Sequence, residues 1–162
     1  MLDHMDAQNT ETFKLRYWYN FDDFDFDDKS APIFLYICGE ATCTIPDGSG
    51  RSFGHTLAQD NKALMLVLEH RYYGYSWPNV DDASPKSLEF LTAEQALDDI
   101  AYFLTSIEET INQRSGSNVN RKKFVIGGSY PGSLAAWARY KYPHIIDGAL
   151  SSSGVFNPIE EF

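Results

Sequence analysis

The sequence has 162 residues, which is enough for one domain with a hydrophobic core and gives no reason to assume two. Its net charge of -10 argues against a nucleic acid or an anionic membrane surface as partner, because either would repel the chain. It contains no run of about 18 apolar residues, so no transmembrane helix is predicted. The N-terminal residues have neither the basic nor the apolar region of a signal peptide, so none is predicted within this sequence.

The beginning of the chain predicts two strands separated by an acidic loop. The segment RYWYN (16–20) is typical of a strand, and PIFLYIC (32–38) is a short apolar run of the kind found in strands buried on both faces. Between them, FDDFDFDD (21–28) has five aspartates but lacks the glycine and the distal glutamate of an EF-hand, so it predicts a solvated loop. Turn-forming residues follow in GEATCTIPDGSGRSFG (39–54), and His55 is placed in the same loop.

Two cysteines flank the turn after the second of these strands. Cys38 and Cys43 are separated by four residues, which is neither the CxxC spacing of redox sites nor half of a zinc site, so no metal is predicted. The spacing suits a short-loop disulfide in an oxidising compartment and two thiols in a reducing one. From the residues alone, both states stay open.

The middle of the chain predicts one strand and one long helix. ALMLVLEH (63–70) is another apolar run that indicates a buried strand. Thr92 and Gln95 have the spacing of a capping box. The apolar residues between 96 and 111 then recur with helical periodicity, which indicates a helix that packs one face against a core.

The end of the chain continues the alternation of strands and helices. KFVIGG (123–128) predicts the third of the buried strands, and a helix is predicted over 132–142, ending before Pro143. IIDGALSSSG (145–154) predicts a fourth buried strand. Strands that alternate with helices indicate an α/β architecture with a mainly parallel sheet and helices on its faces.

Ser129 lies in the tight turn between the predicted strand 123–128 and the helix that follows. Strand, serine turn and helix form a nucleophile elbow, which requires small residues on both sides of the serine. Gly127 meets this requirement, whereas the chain has Pro131 and only then Gly132 after the serine; proline is admissible because it falls in the first helical turn. The positive end of the helix would favour a developing oxyanion. Gly-Gly-Ser turns are common at strand ends, so the motif by itself leaves a structural turn as the alternative.

Two other predicted strands end in turns at the same edge of the sheet. The strand 32–38 runs into Gly39 and Glu40, where the second N–H of an oxyanion hole would come from. The strand 63–70 opens into a turn that contains a glycine. Since the carboxyl ends of parallel strands meet at one edge, the three turns form a rim of the kind where open α/β sheets place their sites.

Five blocks of the sequence, in order, resemble the prolylcarboxypeptidase family of serine peptidases, which also contains a lysosomal dipeptidyl peptidase and a thymus-specific serine protease. They cover nearly all of the chain and read LDHMDAQNTETFKLRYWYN, PIFLYICGEA, LEHRYYGYSWP, LTAEQALDDIAYF and GGSYPGSLAAWARYKYPHIIDGALSSSG. The resemblance implies an α/β-hydrolase domain interrupted by a helical cap. It also implies a lysosomal, vacuolar or secreted hydrolase of peptides that cleaves next to proline or small residues near a terminus. No cofactor is expected, and a homodimer of the full-length protein is compatible with the resemblance.

Carried over by position, the resemblance assigns Ser129 as the nucleophile. The Tyr130 N–H is then one oxyanion donor, and the Gly39–Glu40 turn supplies the second. Ser129 would attack the scissile carbonyl and form an acyl-enzyme that water releases. The family's oxidising compartments also imply a disulfide between Cys38 and Cys43, which would hold the neighbouring turn in place.

The histidine of a Ser-Asp-His triad is not found after the serine at a suitable distance. His144 lies roughly 20 Å along the axis of the intervening helix. His70 ends a strand two places from the serine strand, about 9–10 Å away, and is expected to be a structural partner of Glu69 or of the Arg71 loop. His55, in its predicted loop, is expected to be solvated.

The catalytic acid is also not found. Asp147 is at the start of a strand, the wrong end for this role, and the glutamates at 160–161 are where the sequence stops. We therefore expect residues 1–162 to be the N-terminal part of an α/β-hydrolase domain, with the catalytic Asp and His, the cap and the later strands outside this sequence.

Three functions remain open on these grounds. The leading one is a serine exopeptidase, of which this chain carries only the nucleophile. The second is an esterase or lipase that uses the same elbow, and the third is a binding protein that kept the fold without the triad. Asp and His codons in the expected order downstream of residue 162 would separate the enzymes from the binding protein.

Overall fold

The computed structural model describes residues 1–44, 53–79 and 84–157, which form a five-stranded sheet with helices on both faces. The strands are β1 (Tyr17–Asn20), β2 (Ile33–Ile37), β3 (Leu64–Leu68), β4 (Lys123–Gly128) and β5 (Gly148–Ser152), and the helices are α1 (Phe53–Asp60), α2 (Ala93–Ser115) and α3 (Tyr130–Lys141). No helix in these ranges has the length and apolarity needed to cross a membrane. The glutamates at 160–161 lie outside the described residues.

The sheet is mainly parallel, as the sequence predicts. The strand order is β1-β3-β2-β4-β5. β2 pairs in parallel with β3 and with β4, and β4 pairs in parallel with β5, whereas β1 is antiparallel to β3. The carboxyl ends of β2, β3 and β4 therefore open at one edge, and the turns that follow them come together there.

Alternating apolar residues of the central strands pack against helices on the two faces of the sheet. Leu35, Leu66 and Val125 belong to the larger cluster, which contains buried residues of α2 and α3. Phe34 and Met65, one position away on the same strands, belong to the smaller cluster together with buried alanine from α1. The central strands are thus buried on both sides, which is why they read as nearly continuous apolar runs.

Two elements differ from the expectations. Residues 53–60 form helix α1, so His55 lies in a helix and not in a loop. The sequence FGHTLAQD contains several weak helix formers, and the helix depends on tertiary packing of residues such as Ala58. The strand around residues 145–154 is shorter than predicted and is not buried: Leu150 of β5 is 39% exposed, because among the described strands only β4 pairs with it.

A buried ionic network attaches the N-terminal segment to α2. Arg71, which is fully buried, donates from Nε and Nη2 to the two carboxylate oxygens of Asp99 at 2.6 and 2.9 Å. His4 Nε2 lies 2.8 Å from the same carboxylate. The Gln95 side chain accepts a hydrogen bond from the His4 N–H instead of reaching back to Thr92, so only the half of the capping box that Thr92 contributes is formed.

Candidate active site

Ser129 connects β4 to α3 in a strained backbone conformation. Its φ is 61° and its ψ is -131°, a region that residues with a side chain rarely adopt. The conformation is held by hydrogen bonds on both sides: the Ser129 N–H donates to the Ser152 carbonyl at 2.9 Å, and the Ser133 N–H donates to the Ser129 carbonyl at 3.2 Å. The turn after β4 therefore has the backbone geometry of an elbow that presents one serine.

The elbow requires close contact between the end of β4 and the first turn of α3. A Cβ atom added to Gly127 would overlap the carbonyl group of Pro131, and one added to Gly132 would lie 2.8 Å from the Ser152 carbonyl oxygen. Gly132, three residues after the serine, thus provides the small residue that the commoner elbow has one position earlier. Pro131 is in the first helical turn, where its missing N–H has no intrahelical partner to lose.

Gly127→Ala is expected to destabilise the elbow, whereas Gly128→Ala is expected to be tolerated. The added methyl of Gly127→Ala meets backbone atoms that cannot move aside, so we expect a loss of about 3 kcal/mol of unfolding free energy. With Ser129 as the nucleophile that the resemblance implies, a shifted Ser129 should also reduce kcat by about 10²-fold. Gly128→Ala is the matched control, because its nearest atom would be 3.9 Å away. Denaturation and assay of both variants of the full-length protein check this, and equal effects would contradict it.

The Ser129 hydroxyl lies at the rim of the sheet. The side chain is exposed, and within the described part of the chain its Oγ makes no hydrogen bond. The N–H groups of the first turn of α3, including that of Tyr130, have no acceptor inside the helix and point outward from its positive end. An oxyanion that forms on a carbonyl bonded to Ser129 would therefore meet unpaired donors.

The turn after β2 packs directly against the elbow. A Cβ at Gly39 would lie 3.0 Å from Cγ of Pro131, so the glycine allows the two turns to touch. Cys38 and Cys43 on the two sides of this turn are paired as a disulfide, with their Cα atoms 5.8 Å apart. Glu40 is exposed at the tip of the turn. Gly39 is thus in contact with the first turn of α3 at Pro131. The role of the Gly39–Glu40 turn as an oxyanion donor, like the oxidation state of the cysteines in the cell, stays a prediction.

Glu69 organises the loops beneath this turn. Its fully buried carboxylate accepts hydrogen bonds from Nη2 of Arg16 at 2.6 Å, from the N–H groups of Cys43 and Tyr75 at 3.0 Å each, and from the Ser76 hydroxyl at 2.8 Å. Burial by itself would raise the pKa of Glu69, but these hydrogen bonds outweigh it and hold the pKa below its ordinary value. The carboxylate therefore stays ionised and ties the disulfide loop to the turn after β3.

His70 contacts the residue next to the serine. Its Nε2 lies 3.1 Å from the hydroxyl oxygen of Tyr130, and its Nδ1 lies 2.7 Å from the Arg71 carbonyl oxygen. Burial lowers the pKa of His70. Burial, and then the nearby charge of Glu40, raise the pKa of Tyr130 to about 12. Both side chains are therefore neutral near pH 7. The expected contact of His70 with the Arg71 loop is present, and the second partner of His70 is Tyr130 and not Glu69.

The remaining acid and base candidates are away from the serine. Asp147 precedes β5 and accepts hydrogen bonds from the Lys122 ammonium at 2.7 Å and the Lys123 N–H at 2.9 Å, both at the amino end of β4 and so at the opposite edge of the sheet. His144 is exposed beyond the end of α3. His55 lies on α1. Within the described residues, no histidine or carboxylate bonds to the Ser129 hydroxyl.

Sequence reasoning did not find the pairing of His70 with Tyr130 or the four partners of Glu69. A partial signal was present, because both His70 and Tyr130 follow strand ends that were placed at one rim. The pairing itself depends on β3 and β4 lying on the two sides of β2, which the local sequence does not encode.

A family model described as Serine carboxypeptidase S28 matches residues 1–162. The chain is 39% identical, over 94% of its length, to lysosomal Pro-X carboxypeptidase of Mus musculus. It is 36% identical, over 97% of its length, to a probable extracellular serine carboxypeptidase of Arthroderma benhamiae. The aligned parts are 30% and 22% of those proteins, so the chain spans less than a third of their length.

A solved structure with a similar backbone is acetyl xylan esterase from Aspergillus awamori. Its TM-score is 0.55 at 21% identity, and the match covers 88% of this chain and 48% of that one. At this identity the likeness concerns the fold alone. Together with the sheet topology, it identifies the fold as that of the α/β-hydrolases, as the sequence predicts.

Proposed function

We propose that this chain, which belongs to the serine carboxypeptidase S28 family, supplies the nucleophile and the oxyanion hole of a serine peptidase. The observation that supports the proposal most is the backbone of Ser129, whose φ of 61° at the end of a buried parallel strand places one exposed hydroxyl over the start of a helix. Such strain is retained where the surrounding packing enforces it, and it is common at active sites.

In the proposed reaction, Ser129 Oγ forms a bond to the scissile carbonyl carbon while its proton passes to a general base. The negative carbonyl oxygen accepts hydrogen bonds from the Tyr130 N–H and from the Gly39–Glu40 turn. Collapse of this intermediate breaks the C–N bond, the leaving amine takes the proton, and water then releases the acyl group from the serine. The base and its aspartate would come from residues outside this sequence, so that residues 1–162 form part of a larger α/β-hydrolase domain.

The substrate we propose is a peptide cleaved beside proline or a small residue close to one terminus. A relative's name records Pro-X carboxypeptidase activity, and others are named lysosomal or extracellular. A carboxypeptidase and a dipeptidyl peptidase both fit this proposal, and the compartment we propose is the lysosome, a vacuole or the outside of the cell. The Cys38–Cys43 disulfide would be stable in any of these oxidising environments.

The full-length protein should release a single residue or a dipeptide from peptides that carry proline or alanine near a terminus. Mass analysis of the products would show which terminus is used, and an acetate ester serves as the comparison substrate for an esterase. Residues 1–162 expressed alone should be inactive on all of these, since the serine lacks its base. Ester hydrolysis without peptide hydrolysis by the full-length protein would contradict the peptidase assignment. Peptide hydrolysis by residues 1–162 alone would contradict the proposal that the base and its aspartate lie outside these residues.

A further inference from the structure

The side chains of His70 and Tyr130 connect the end of β3 to the first residue of α3. Their polar atoms are 3.1 Å apart and their ring centroids 5.6 Å apart. His70 is only 5% exposed, and Tyr130 is half-buried. The contact joins two turns of the rim that are separated by the whole width of β2.

The direction of this hydrogen bond follows from the other partner of the imidazole. The Arg71 carbonyl oxygen can only accept, so Nδ1 of His70 must carry the hydrogen that fills the 2.7 Å contact. In a neutral imidazole Nε2 is then an acceptor, and the Tyr130 hydroxyl donates to it. The Tyr130 hydroxyl holds its proton under ordinary conditions, because its pKa is raised to about 12.

The histidine is itself held firmly. The guanidinium of Arg71 donates to both oxygens of Asp99 and to the carbonyl oxygens of Leu2 and Phe90 at 3.0 and 2.9 Å. The ring of Tyr73 packs edge-on against His70, with centroids 5.3 Å apart. Nε2 of His70, which accepts from Tyr130, is therefore held in place by packing and hydrogen bonds of the surrounding residues.

We propose that His70 is a positioning residue that fixes the start of α3, and with it the Tyr130 N–H, in the orientation needed to bind the oxyanion. This role rests on the proposed function. Because Tyr130 is the first residue of the helix, its side chain and its N–H turn together, so a side chain anchored at the hydroxyl limits the movement of the amide. The effect should appear in the transition state, where the oxyanion exists, and much less in substrate binding.

The test uses matched variants of the full-length protein, each assayed per active site after titration with a fluorophosphonate. Tyr130→Phe removes only the hydroxyl. His70→Asn keeps a donor near the Nδ1 position and loses the acceptor, whereas His70→Gln keeps an acceptor near Nε2. We expect Tyr130→Phe and His70→Asn to lower kcat by about 3- to 10-fold, the scale of one neutral hydrogen bond, with KM changed less than about twofold.

Further readouts separate positioning from general stability. Affinity for a peptide boronic acid, which forms a tetrahedral adduct on serine, should fall by the same factor as kcat. His70→Gln keeps an acceptor for the Tyr130 hydroxyl and should retain at least about half of the kcat. The double variant His70→Asn with Tyr130→Phe should be no slower than either single variant, since each of these three proteins lacks the same hydrogen bond. Tyr140→Phe removes a hydroxyl from a side chain that is 89% exposed at the other end of α3 and should change nothing.

Two outcomes would overturn the proposal, and they are distinguishable. In the first, the wild-type protein is labelled and active, but Tyr130→Phe has wild-type kcat and boronate affinity, or the losses in kcat multiply in the double variant. The positioning role is then wrong and the proposed function stands. If the wild-type protein is neither labelled nor active, both are wrong. Should His70→Asn fail to fold, Tyr130→Phe alone decides.

Discussion

Ser129→Ala in the full-length protein is expected to lower kcat by about 10³-fold or more while the protein still folds. Without the hydroxyl no acyl-enzyme can form, and the residual rate comes from the oxyanion donors and substrate binding alone. Folding should be preserved, because the side chain is exposed and makes no hydrogen bond to the described residues. Alanine also has a Cβ, so it meets the same backbone strain at a φ of 61° that serine does. Labelling by a fluorophosphonate probe should disappear in parallel with hydrolysis.

Ser152→Ala is the matched control for this variant. Ser152 lies on the neighbouring strand, its side chain is exposed, and it supports Ser129 only through its backbone carbonyl, which the substitution leaves in place. We therefore expect wild-type labelling in Ser152→Ala. If the label persisted in Ser129→Ala, or if peptide mass analysis mapped it to another serine, the assignment would be wrong and a non-catalytic binding function would be favoured.

Glu69→Ala is expected to reduce the free energy of unfolding at neutral pH by about 3–5 kcal/mol, because several donors lose their acceptor at about 1–3 kcal/mol for each buried one. The substitution leaves the buried Cys43 N–H and Ser76 hydroxyl, and the partly buried Tyr75 N–H, without an acceptor, and it removes the partner of Arg16. It should also loosen the turn that carries Gly39. Urea denaturation of the full-length protein measures the change. Glu109→Ala, which removes an exposed carboxylate from α2, should cost less than about 0.5 kcal/mol.

The contribution of Glu69 should depend on pH in a defined direction. Its pKa in the folded protein is below the ordinary value of about 4.3 that it has in the unfolded chain. The folded state therefore binds the proton less readily, and the stabilisation is complete above about pH 4.3 and is lost as the pH falls through the folded pKa. The difference in unfolding free energy between wild type and Glu69→Gln should be constant from pH 5 to 7 and shrink below pH 4. A difference that grows on acidification would show that the carboxylate is not stabilised in its charged form.

Much of the fold could be predicted from local patterns. The apolar runs of β2, β3 and β4 and the periodicity of α2 are strong signals, because a strand covered on both faces and a helix with one buried face each leave a distinct pattern. Helix α1 was missed, since its sequence has weak intrinsic helix propensity and the helix depends on packing against the sheet. The exposure of β5 was missed for a related reason. The burial of a strand depends on the strands and helices that pack beside it, and the apolar residues of the strand do not indicate whether such an element is present.

The sequence by itself determined the elbow. Gly127, Ser129, Pro131 and Gly132 are close along the chain, and local steric requirements are enough to predict a strained turn between a strand and a helix. Only the tertiary structure decided which side chains meet around it. Glu69 accepts hydrogen bonds from three separate segments, and Tyr130 contacts His70 across β2, because the strand order brings the ends of β2, β3 and β4 to one edge. Contacts between residues 26 to 60 positions apart depend on that order, and no local pattern in the sequence specifies it.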